Sequence, residues 1–112
     1  MPALTALAVV FSCAVLVGCA GDSSDTCRYE PENCGGGRAG AFCADNSDCR
    51  GICCTDRGNC AGGMCTFACR DDLDCPSDMA CEHDVCFYRC AFDEDCAVGQ
   101  ECEHGNTVCE WP

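Results

Sequence analysis

Three residue types recur in this chain at spacings that can do chemistry: cysteine, aspartate and, twice, histidine beside glutamate. Cysteines bracket five residues at Cys43 to Cys49, Cys69 to Cys75 and Cys90 to Cys96, with an aspartate (Asp48, Asp74, Asp95) before the second cysteine each time. Two residues before that aspartate stands Asn46, Asp72 or Asp93, so an Asn/Asp-x-Asp-Cys tetrad appears three times. The last two copies continue with Cys81 and Cys102, each followed by Glu-His (Glu82-His83 and Glu103-His104), and close with Cys86 and Cys109. Offsets of 26 and then 21 residues between copies are those of small tandem modules.

A cysteine thiolate can attack a substrate, hold a metal or form a disulfide, and composition selects the third. The chain has 18 cysteines in 112 residues, far above the level that marks a disulfide scaffold. Large apolar side chains are sparse beyond Ala20. They cannot offset the ordering entropy of roughly 90 residues at about 1.5 kcal/mol each. Something covalent or metallic must replace the missing core, and cysteine at this level reads as disulfides, each worth roughly 2–3 kcal/mol. Such staples persist in oxidising compartments, so the chain reads as exported.

The first copy is different: it adds the doublet Cys53-Cys54, then Cys60 and Cys65. Adjacent cysteines rarely bond each other, so this pair should reach different partners. With Cys27 and Cys34 upstream, the disulfide pool is Cys27, Cys34, Cys43, Cys49, Cys53, Cys54, Cys60, Cys65, Cys69, Cys75, Cys81, Cys86, Cys90, Cys96, Cys102 and Cys109. The units hold two, six, four and four of these, so each can close upon itself. The connectivity stays open among about two million pairings.

The acids admit two readings. Asp72, Asp74, Asp93 and Asp95 offer hard oxygens to a weakly held Ca²⁺. Alternatively they set turns by accepting backbone N–H bonds, and this second reading is preferred. His83 and His104 raise zinc as a thought. No C-x2-C pair occurs, however, and duplication of one module explains both, so no metal site and no cofactor are expected. Catalysis finds no motif: no G-x-S-x-G, no H-E-x-x-H, no phosphate loop and no lysine. A formal charge of −13, carried by 19 acids against six arginines, repels phosphate backbones and excludes nucleic acid as a partner.

Residues Met1 to Val17 carry no charge, and their roughly 15 apolar residues fall short of the ~20 that span a bilayer, as in a signal peptide. Leu16-Val17-Gly18-Cys19 resembles a bacterial lipobox. That resemblance implies a signal peptide over residues 1–18, acylation of Cys19 and a membrane anchor. Ala20 after it, by similarity to Gram-negative lipoproteins, points to the outer membrane. The alternative is ordinary secretion, with cleavage after Ala20. Either way Cys13 and Cys19 leave the disulfide pool, and the remaining sixteen are even in number.

The expected organisation is a lipidated cysteine and polar tether (19–26), a Cys27/Cys34 loop with a flexible Gly-rich joint (27–41), module 1 (42–65), module 2 (66–86) and module 3 (87–112). The fold class is small and disulfide-rich: tandem cysteine-stapled modules with little regular structure, short hairpins around Gly-containing turns, and a helical turn after each Asp-Cys. From Phe42 onward the Asp-Cys…Gly-x-Cys-Cys and Asp-x-Asp-Cys tandem resembles bacterial cysteine-rich lipoproteins and the N-terminal cysteine-rich region of Dickkopf proteins. More loosely, it is similar to whey-acidic-protein and EB-type modules. The resemblance implies a non-catalytic extracellular module that binds an unknown protein partner. Whey-acidic-protein inhibitors would place an exposed loop near Arg50 to Ile52, which keeps a secreted protease inhibitor or ligand-type module as the alternative. A purely structural surface lipoprotein is a third possibility. Reduction of the mature protein should add about 16 Da to its intact mass, and a smaller gain would show free thiols.

Overall fold

The computed structural model describes residues 24–112, so the signal segment and Cys19 lie outside the described residues. One short helix, α1 (Ser24–Tyr29), leads into three antiparallel hairpins: β1 (Ile52–Cys54) with β2 (Met64–Thr66), β3 (Met79–Glu82) with β4 (Val85–Tyr88), and β5 (Glu101–Glu103) with β6 (Val108–Glu110). All sixteen cysteines among the described residues are paired, and their eight bridges stay inside their own unit.

The tetrads form 3₁₀ turns over Asn46–Asp48, Asp72–Asp74 and Asp93–Asp95. The helical turn therefore precedes each Asp-Cys rather than following it. Its acids supply the reason, because they pull the preceding backbone inward. The last carboxylate of each turn accepts two N–H groups: Ala44 and Asp45 donate to Asp48 Oδ2, Arg70 and Asp71 to Asp74 Oδ2, and Ala91 and Phe92 to Asp95 Oδ2. Those donors hold Asp95 below the ordinary carboxylate range, and the Ser47 hydroxyl and amide do the same for Asp45. The first residue of each tetrad reaches the hairpin instead. Asn46, Asp72 and Asp93 each accept, at 2.8 Å, the N–H of a strand cysteine: Cys53, Cys81 and Cys102 respectively.

The bridges repeat the same plan. Each hairpin sets two cysteines directly opposite one another, Cys53 with Cys65, Cys81 with Cys86 and Cys102 with Cys109. These pairs do not bond across the hairpin. The first is tied to the start of the C-x5-C loop (Cys43–Cys53, Cys69–Cys81, Cys90–Cys102) and the second to its end (Cys49–Cys65, Cys75–Cys86, Cys96–Cys109). The 3₁₀ turn is thus clamped at both ends across one face of its hairpin. Side chains alternate across a strand, so Cys54 points away from Cys53 and closes a separate loop with Cys60.

The residue before each module's first cysteine pairs with its second strand (Phe42 with Met64, Ala68 with Val85, Arg89 with Val108). Strand pairing carries β2 to Thr66 and β4 to Tyr88, past the anticipated module ends at 65 and 86. Between modules, the Thr66 hydroxyl donates to the Cys86 carbonyl, the Cys86 N–H to the Phe67 carbonyl and the Arg89 N–H to the Asp78 carbonyl. A small core of Met64, Val85, Phe87 and Val108 draws on all three modules. Phe87 and Tyr88, sparse aromatics in a charged sequence, are buried, whereas Phe92 is exposed.

The glycine-rich segment is packed rather than a flexible joint. Cys65 donates to the Ala41 carbonyl, Gly40 to the Cys65 carbonyl and Arg50 to the Gly37 carbonyl. Glycine serves here because Gly37 and Gly40 have φ of +69° and +105°, and a Cβ on either would lie about 2.5 Å from a backbone oxygen. Tyr88 donates to the Ala39 carbonyl at 2.7 Å, and burial, with the Asp78 charge, pushes its hydroxyl up to about 12.

Module 1 carries Asn46 where modules 2 and 3 carry aspartate, so the neutral acceptor suffices. Asp72→Asn is expected to leave stability unchanged, while Asp72→Ala costs about 1 kcal/mol in non-reducing denaturant unfolding. Equal losses from both substitutions would show that charge, not the acceptor, matters.

Candidate metal centre

The groups singled out for chemistry divide sharply. The cysteines are consumed by disulfides, so the three close cysteine trios (Cys43, Cys49 and Cys53; Cys69, Cys75 and Cys81; Cys90, Cys96 and Cys109) present no thiolate. Asp74 and Asp95 hold their own turns, and Asp72 and Asp93 cap strand amides. Arg50 donates its backbone N–H to Gly37 and its Nε–H to Gly36, which ties down the stretch before the doublet. Cys19 lies outside the described residues.

The two histidines behave differently. Strands β3 and β4 are joined by His83 and Asp84 alone, with φ of 53° and 67°. Positive φ at both positions is the geometry of a type I′ hairpin turn, here built without glycine. The β5–β6 loop runs His104, Gly105, Asn106 and Thr107, and the first three also have positive φ. His, Asn and Asp are the non-glycine residues that tolerate this region best. Both imidazoles therefore stand at hairpin tips, fixed by Cys81 and Cys102 two residues earlier.

Stacking of modules 2 and 3 brings those tips together. His83 Nε2 lies 3.1 Å from His104 Nε2, with ring centroids 5.0 Å apart. Glu110 Oε2 lies 3.0 Å from His104 Nε2 and 3.4 Å from His83 Nε2. Glu82 adds a carboxylate oxygen 3.8 Å from the far side of His104, at Nδ1. The Glu110 side chain is only 5% exposed, against 43% and 36% for the two imidazoles, so the carboxylate forms a floor beneath two partly open rings. Glu110 Oε2 is buried, and the donors the structure sets beside it are these two imidazoles, His104 being the one at hydrogen-bond distance. Burial pushes its carboxyl above the ordinary range, and the neighbouring imidazoles offset part of that.

Duplication of the Cys-Glu-His motif does place both histidines at equivalent turns. It leaves unexplained why they face one another over a buried carboxylate. Glu110 escapes motif scanning because it belongs to no acidic cluster. The signal lies in the repeat register: the residue after each module's closing cysteine is Thr66, Phe87 or Glu110. All three are buried, at 1%, 1% and 4% exposed, so the third copy places an acid where its siblings place core residues.

No family model, no curated protein and no solved structure matches this chain.

A buried acid whose neighbouring donors are two half-exposed imidazoles gains little from them against the cost of its own burial. In EDTA-treated protein, Glu110→Gln is therefore expected to leave the non-reducing guanidinium midpoint unchanged or raise it. A loss of more than about 1 kcal/mol would show that the carboxylate is well satisfied by its neighbours.

Proposed function

We propose that this chain is an extracytoplasmic, non-catalytic binding module, held at the outer membrane by acyl chains on Cys19 and presenting rigid acidic loops to a protein partner. The observation that carries the reading is the set of eight intramodular disulfides. Such a set is stable only outside a reducing cytosol. No helix among the described residues is long and apolar enough to cross a membrane. Several acyl chains give durable attachment at about 0.8 kcal/mol per buried CH₂.

A binding role is supported by what the clamps leave on the outside. Leu73, Phe92 and Val98 stand 93%, 67% and 94% exposed on or beside the turns of modules 2 and 3. Exposed apolar groups on a rigid frame cost little ordering entropy when a partner covers them. The surrounding aspartates favour a partner face carrying arginine or lysine.

Mass spectrometry of the native N-terminus tests the anchor. A diacylglyceryl thioether on Cys19 is expected, and Cys19→Ser should move the protein from the membrane fraction to the soluble one. A mature chain beginning at Gly21 would replace this reading with plain secretion.

A further inference from the structure

We propose that His83, His104 and Glu110 form a binding site for one zinc-class divalent cation at the seam between modules 2 and 3, with Glu82 as the residue that orients His104. The inference is independent of how the chain is anchored.

Distance comes first. The two Nε2 atoms and Glu110 Oε2 form a triangle with sides of 3.0, 3.1 and 3.4 Å. Ligand atoms about 2.0–2.1 Å from a tetrahedral Zn²⁺ stand about 3.3 Å from one another. An ion at that bond length from all three would sit about 1 Å off their plane. The two rings are partly exposed, which leaves a path for the ion and room for water as a fourth ligand.

Protons alone serve this arrangement poorly. If both rings are neutral, a His104 N–H directed at Glu110 cannot also bridge the two Nε2 atoms, and one that bridges them is withdrawn from the carboxylate. If both are protonated, two cationic N–H groups are held 3.1 Å apart. A single dication answers three converging lone pairs at once and neutralises the charge of a carboxylate that is only 5% exposed.

The donor set selects the metal. Two imidazole nitrogens and one carboxylate suit zinc, whereas calcium requires six to eight oxygens. Glu82 lies 3.8 Å from His104 Nδ1, on the side where a carboxylate would fix the tautomer that leaves Nε2 free for an ion.

The test uses the full-length oxidised protein, treated with EDTA and shown to be free of thiols, titrated with ZnCl₂ by calorimetry and followed through the histidine ring resonances. One Zn²⁺ per chain is expected, with both imidazole spectra shifting together. His83→Asn/His104→Asn suits the positive φ at both turns, so it should keep all eight disulfides and the native circular dichroism while weakening binding at least about 100-fold; Glu110→Gln should weaken it about 10- to 100-fold. The proposal is overturned if the wild-type protein takes up no stoichiometric zinc below about 100 μM. It is equally overturned if the double variant, natively folded, binds zinc as the wild type does, because the ion would then sit elsewhere.

Discussion

In each module two half-cystines face one another across a hairpin, and each bonds one end of the same five-residue loop rather than its neighbour. That arrangement forces the loop to lie flat against the strands. It also decides what the loop's acids do, because the amide two residues ahead of the 3₁₀ turn and that of the strand cysteine each lie 2.8 Å from a carboxylate or amide oxygen. Two covalent ties and a shared set of side-chain acceptors thus specify a structured unit of some twenty residues with almost no interior of its own. Module 1 shows how tolerant the plan is. It inserts a loop closed by Cys54–Cys60 between its strands and still keeps the two clamps of the other modules.

Stacking then supplies what the single module lacks. The buried residues Met64, Val85, Phe87 and Val108 come from three modules, and the Trp111 N–H returns to donate to the Asn59 carbonyl in module 1. The N-terminal loop joins through Arg28, whose guanidinium donates to the Asp95 and Arg89 carbonyls. The histidine–glutamate cluster follows from the same packing. Histidines at the same place in two copies meet because the copies lie side by side, and the carboxylate beneath them comes from the strand that closes module 3.

Much of this organisation could be read from residue types. Cysteine spacing defined three modules and their hairpins, and the doublet Cys53-Cys54 foretold two partners because adjacent residues on a strand face opposite ways. Pairing order could not be read, since spacing alone does not reveal which cysteines face each other in a hairpin. The glycine run of residues 35–37 looks like a hinge by composition, yet φ values near +70° at Gly36 and Gly37 belong to a built turn. Composition cannot separate the two, as both need glycine. The site was half legible. His83 and His104 were visible as a repeated pair, but their 3.1 Å approach depends on how two modules stack. Glu110 carries no local signal at all. Only its register against Thr66 and Phe87 marks it as an acid in a core position.

Among the described residues no bridge crosses from one module to the next, so the polypeptide backbone is the covalent link at each seam. Mechanically, the chain is a string of rigid beads glued along their sides. Tension between its two ends would part the glued faces first and lengthen the molecule in steps, with every cystine intact. Such steps reverse on release, because each bead keeps its shape while its neighbour is away.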